Sequence, residues 1–302
     1  MKLKFILFLI TVTVIREDKP DNIWFAIILK FGEPIELNIS NERLRRRKRA
    51  FDSLDDFKEN PDHVLIIHYS CESFYNRPNG SSPRITSIAT RNWGSGQTYS
   101  FSIHQQAERD QKSIDELETG YDVFEKKMLS EFYQFAEKHD RYFWIHWNMR
   151  DINYGFPALE HRAKVLDVTP FMIPEEKRVD LARLIIDLFG VNYIGHPRST
   201  KLMEKNRITH PAFLTGQEEA DAFNAKEYVK LHQSTLRKVD VFSNILGRVI
   251  DGSLKTNAKW KEIYGGYFPW FTEFVRTHWI FSLIGFIAAA LAIGQIVWRS
   301  ML

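Results

Sequence analysis

The sequence predicts an α/β protein: a mixed sheet flanked by helices, with an N-terminal β-ribbon before it and a C-terminal transmembrane helix after it. Three observations carry this. Short apolar runs bounded by turn residues alternate with helix-period segments between Asp62 and Gly252. Two β-branched runs separated by a turn-like segment precede them, and an uncharged stretch of twenty residues follows them. Of the 302 residues, 44% are apolar and 26% charged, which fits a folded chain with a sizeable core and excludes a disordered one. Lys and Arg number 41 against 38 Asp and Glu, so a uniformly polycationic nucleic-acid coat is also excluded. The single cysteine, Cys71, leaves no intramolecular disulfide framework and no cysteine-rich zinc site.

Residues 1–15 (MKLKFILFLITVTVI) are open to two readings, a signal or membrane segment and a strand. The absence of a small-residue cleavage site and the β-branched content favour a strand, paired with residues 23–31 across the turn-like 17–22 (EDKPDN). Residues 43–49 (RLRRRKR) hold six basic residues in seven, either a solvated helix face or linker, or a contact for anionic lipid or nucleic acid. Residues 1–61 therefore read as a ribbon and a basic linker.

The main body spans residues 62–252. Residues 64–69 (VLIIHY) read as a buried strand, followed by the turn 77–83 (RPNGSSP). Residues 84–93 and 98–104 alternate in polarity and are joined by 94–97 (GSGQ), a hairpin. Helical spacing marks residues 124–139, and 142–147 (YFWIHW) is a further short strand. Helices are expected at 156–166, 179–189, 215–231 and 234–250, with the polar 196–212 as a connection. His146 and His161 lack a second convergent pair for zinc, and 94–96 lacks the strand–glycine–helix setting of a phosphate loop. Cys71 beside Glu72 reads as packed rather than nucleophilic, and Trp144 as core.

Strand, hairpin, helix, strand and then helices is the order of an RNase H-like domain. Glu72 follows the first strand (VLIIHYSCE), Asp151 follows the fourth (YFWIHWNMRD), and Asp240 lies in a late helix (TLRKVD). In this the chain resembles the DEDD 3′–5′ exonuclease superfamily over residues 62–250. The resemblance implies a two-metal site in which Mg2+ or Mn2+ is held by Glu72, Asp151 and Asp240, the two metal ions binding the attacking water and the leaving oxygen. His232, one turn before Thr235 at the base position, is the group in reach to activate water. Arg237, Lys238, Trp147 and Asn148 are the expected nucleic-acid contacts, by charge, stacking and hydrogen bonding; for Arg237 and Lys238 the plainer reading is pairing with acids such as Glu218 and Glu219. The chain departs from the pattern at Ser70, which stands where the family has its first aspartate; a hydroxyl does not bridge two metals as a carboxylate does. Asn148 and Asp151 also lie one residue closer together than in the family. A non-cleaving domain that binds protein or a nucleotide-like ligand is thus expected alongside the alternative of a metal-dependent exonuclease.

Residues 279–298 (WIFSLIGFIAAALAIGQIVW) are long enough to span a bilayer and carry tryptophan at both ends. With four residues beyond, this reads as a tail anchor after a juxtamembrane segment, 253–278. Lys255, Lys259, Lys261 and Arg276 precede the span and Arg299 alone follows, so the large domain is expected on the cytoplasmic side of a bacterial-type inner membrane. Gly285 with Ala289 and Ala290 with Gly294 give small-residue spacing for homo-oligomeric helix packing. The expected partners are therefore membrane lipid, DNA or RNA, and a second copy. The combination suits a defence or stress effector that binds or processes nucleic acid near a membrane.

Overall fold

The computed structural model describes residues 9–16, 23–30, 42–73, 82–209 and 211–264. Residues 1–42 and 43–302 form separate units. In the first, β1 (Leu9–Arg16) and β2 (Ile23–Lys30) pair antiparallel, with Leu9 opposite Lys30 and Arg16 opposite Ile23.

The second unit opens with α1 (Glu42–Glu59), so of the two readings, helix face and linker, the basic run is part of an 18-residue helix. Ala50, Leu54 and Phe57 are buried at helical spacing, and Arg and Lys are good helix formers that extend the turns back to Glu42. Next come β3 (Val64–Cys71), β4 (Ile85–Asn92) and β5 (Thr98–Ser102). The hairpin between β4 and β5 needs Gly94, where a Cβ would lie 2.3 Å from an Asp62 carboxylate oxygen. The chain then turns directly into α2 (Ile103–Arg109), followed by α3 (Ile114–Thr119) and α4 (Tyr121–Lys138). Ser113 and Glu116 form a capping box that starts α3. After β6 (Phe143–His146) come α5 (Phe156–Val165), the short β7 (Arg178–Asp180) and α6 (Leu181–Phe189). The remaining helices are α7 (Arg198–Asn206), α8 (Gly216–Asn224), α9 (Tyr228–Ile250) and α10 (Trp260–Tyr264). Two sequence expectations shift here. Residues 196–212 contain α7 rather than a plain connection, and the last long helix starts at Tyr228 because Lys226 adopts φ 61°.

The sheet is mixed and five-stranded, in the order β5-β4-β3-β6-β7. Strand β4 runs antiparallel to both neighbours, while β3, β6 and β7 are parallel. Every residue of β3 is buried because helices cover both faces. Leu65, Ile67 and Tyr69 point to a core shared with α4 and α5. Val64 and Ile66 point to a second core, built with α1, α6, α7 and α9. This alternation sends His68 and Ser70 to the α9 face. The apolar run 279–298 and residues 265–278 of its juxtamembrane lead lie outside the described residues. Among the described residues, no helix is long and apolar enough to cross a membrane.

Candidate functional site

Strand β3 delivers Ser70 against α9 at the point where α8 also approaches. Ser70 Oγ lies 2.9 Å from Glu219 Oε1 and 2.7 Å from Thr235 Oγ1, and Ser87 Oγ on β4 lies 2.6 Å from Thr235 Oγ1. Ser234 Oγ donates to the same Glu219 oxygen at 2.9 Å, and Lys238 Nζ sits 2.7 Å from it. All six residues are buried. Each hydroxyl has one proton, so one consistent arrangement runs from Ser87 to Thr235 to Ser70 and ends on Glu219. The cluster contains one carboxylate, already engaged by an ammonium and two hydroxyls. A hard divalent ion requires several carboxylates in one place.

The three expected metal ligands do not converge there. Among the described residues, no group of three or more His, Cys, Asp or Glu side chains is placed to hold a metal. Asp240 pairs with Arg91 at 3.2 Å and with Arg237 at 3.2 Å. Arg91 is opposite Ile66, and Glu72 lies six residues further along the chain, about 20 Å at strand spacing. Glu72 instead accepts from the Arg84 backbone N–H at 3.2 Å. Asp151 is exposed and accepts from the Asn153 N–H at 2.8 Å, holding its own loop. The α9 residue facing Ser70 is Thr235, more than a turn before Asp240.

The expected nucleic-acid contacts divide. Trp147 is 8% exposed and stacks on Phe242, centroids 5.3 Å apart, so its face is used inside the core. Lys238 is spent on Glu219. Arg237 and Asn148 are exposed, the latter at φ 55°. His232 is buried against His104 on α2, ring centroids 4.9 Å apart, and burial holds its pKa down at about 4. Its Nδ1 has no hydrogen-bond partner, and neither does that of His104. Burial also pushes the Cys71 thiol up to about 12, which removes it as a nucleophile.

An open groove of about 580 Å3 lies where α9 begins. His104, Leu117, Tyr228 and Val229 are among the groups that line it, and Lys112, Lys226 and Lys230 stand around it. These lysines pair with Glu116, Glu118 and Glu227 in exposed contacts that water and ligands readily exchange.

Pairing with acids such as Glu218 and Glu219 is the plainer sequence reading of Arg237 and Lys238, and Lys238 does pair with Glu219; the hydroxyl cluster around that pair and the groove were missed. The capping box of Thr215 with Glu218 marks the start of α8, and Glu219 shares its buried face with Ala222 three residues on. That spacing was the available signal.

No protein-family model matches the chain, and no curated protein matches it. Among solved structures it is similar to the family B DNA polymerase from the hyperthermophilic archaeon Pyrobaculum calidifontis, with 16% identity and a TM-score of 0.41 over 62% of this chain. The chain spans about a quarter of that polymerase, 24% of its length.

Proposed function

We propose that residues 62–252 form an RNase H-like domain that binds rather than cleaves, and that residues 279–298 hold it at a membrane with the domain on the cytoplasmic side. The observation that carries the non-cleaving reading is the closed Ser70–Thr235–Glu219–Lys238 cluster, where one ion pair stands in place of a set of carboxylates. The strand order, with one antiparallel strand second from an edge, supports the RNase H-like part. The ligand surface is the groove at the start of α9, whose volume falls in the range for small-molecule sites. Its apolar wall beside Tyr228 and its rim of lysines suit a planar anionic ligand of the nucleotide class. The tail positions this binding event at the bilayer, as a signalling element would require.

Full-length protein incubated with labelled single-stranded DNA or RNA and Mn2+ is expected to leave the strands intact. Cleavage that disappears in Glu72→Ala or Asp151→Ala would overturn the non-cleaving reading. Calorimetric titration with nucleoside mono-, di- and triphosphates tests the groove; Lys230→Glu should weaken any binding seen. Membrane fractionation of the full chain against one ending at Thr277 tests the anchor, and equal solubility would defeat it.

A further inference from the structure

The entry helix and the exit helix of the large unit are fastened together. Arg43 of α1 donates from Nε to the Glu262 carbonyl of α10 at 3.0 Å and from its guanidinium to the Asp187 carbonyl of α6. The Arg47 guanidinium sits over the Tyr264 ring at 4.8 Å. On the other side of α10, Asn192 donates to the Glu262 carboxylate at 3.0 Å. Gly190, at φ 93°, allows the close approach: a Cβ there would lie 3.1 Å from the Glu262 carbonyl oxygen. Arg43 and Arg47 thus continue the stripe of Ala50, Leu54 and Phe57 inward, while Arg45, Arg46 and Arg49 remain exposed. Beside them α10 and its approach expose Lys259, Trp260 and Lys261.

The charge order in α1 is also informative. Its first half is basic, and its second half carries Asp52, Asp55, Asp56 and Glu59. A helix macrodipole favours the opposite arrangement, although Glu42, Lys58 and the i,i+4 Lys48–Asp52 pair offset part of the cost. The patch includes the last described residues, and along the sequence Tyr264 is fifteen residues before Trp279. Cations interleaved with exposed aromatics, here Trp260 at 36% and Phe51 at 42%, are the composition of a membrane-interface surface.

We propose that the basic half of α1 together with α10 is a docking surface for anionic phospholipid headgroups, which fixes the orientation of the domain on the bilayer. This rests on the tail reading only for the nearness of a membrane. The attraction falls off within a Debye length, so it acts once the tail has brought the surface close.

The test uses the full chain added to vesicles of phosphatidylcholine alone, and of roughly three parts phosphatidylcholine to one of phosphatidylglycerol. Flotation with the neutral vesicles reports the tail; hydrogen exchange of residues 43–49 reports the docking surface. The expected result is slower exchange there in anionic than in neutral vesicles, lost at about 0.5 M salt and lost in Arg45→Glu/Arg46→Glu/Arg49→Glu. The Arg→Lys triple variant should retain it, since the attraction is to charge. Loss of the three cations alone should lower affinity for anionic over neutral vesicles about a hundredfold, and the three anions put in their place lower it further. Equal exchange in both vesicle types would overturn the docking surface even if the protein floats with both. Flotation with anionic vesicles alone would uphold it while defeating the tail. Protection of 43–49 by a single-stranded oligonucleotide, with none by anionic vesicles, would assign the patch to nucleic acid and overturn the lipid proposal. The glutamate variants favour the helix dipole and are expected to fold, which circular dichroism checks.

Discussion

Replacing Lys238 by methionine removes the ammonium that faces Glu219 while keeping the length of the aliphatic stem. The two side chains are 8% and 7% exposed, so water cannot take over the contact. Breaking one side of a buried ion pair costs about 3–5 kcal/mol. Here Glu219 keeps two hydroxyl donors, Ser70 and Ser234, each worth roughly 1.5–3 kcal/mol to a charged acceptor, which places the expected loss near the lower bound, about 3 kcal/mol. For a unit of this size that is a fall in Tm of about 6–12 °C. The double variant Glu219→Gln/Lys238→Met removes both charges and retains an amide oxygen for the serines, so it should return to within about 1 kcal/mol of the parent. Thermal melts of detergent-solubilised full chain, followed by near-ultraviolet circular dichroism, measure the parent, the singles Lys238→Met and Glu219→Gln, and the double variant. A single variant that melts within about 2 °C of the parent, or a double variant as unstable as the sum of its singles, would refute the buried-pair argument.

Other perturbations separate structural from functional roles. His232 and His146 are both held by burial at about 4, below the ordinary 6.5, so the unfolded chain binds protons that the folded chain does not. Stability should therefore be complete above about pH 6.5 and fall as pH drops toward 4, by about 3 kcal/mol for each of these two; burial holds His68 and His104 down as well, so in His232→Phe the slope of Tm against pH over that window should fall by less than half. An unchanged slope would remove His232 as a contributor. Trp147→Ala should destabilise by about 3–5 kcal/mol and leave any oligonucleotide binding of the folded protein unaltered, as measured by fluorescence anisotropy. Weakened binding with normal stability would return Trp147 to the ligand surface. Asp240→Asn breaks only the half-exposed pairs with Arg91 and Arg237 and should cost less than about 1 kcal/mol by denaturant titration.

The sheet was legible because its strands are short apolar runs with turn signals at both ends. Residues 64–69 and 142–147 fall on β3 and β6, and the glycines at 94 and 96 mark the β4–β5 hairpin. What escaped the pattern had little apolar periodicity of its own. Strand β7 is three half-buried residues that continue straight into α6, and α2 begins where β5 ends with no breaker between them. The basic run of α1 looked solvated because its anchors, Arg43 and Arg47, are buried by contacts more than 200 residues away, with Glu262 and Tyr264. The surroundings of the candidate site were hidden for the same reason. Spacing along the chain placed Glu72, Asp151 and Asp240 in the order of a family motif, but which α9 side chain meets Ser70 depends on how the helix lies across β3 and β4. A shift of one turn exchanges an aspartate for Thr235. Glu219 carries no motif at all; its role arises from α8 folding back over the sheet, a long-range contact that local sequence does not encode.

The most direct measurement is Mn2+ titration of the full chain, followed by electron paramagnetic resonance of the free ion. With Glu219 held by Lys238 and the three motif carboxylates apart, the expected result is no saturable site whose occupancy changes in Glu72→Ala, Asp151→Ala or Asp240→Ala. A tightly bound Mn2+ ion lost in any two of those variants would contradict it, and would mean that the carboxylates converge on a metal after all.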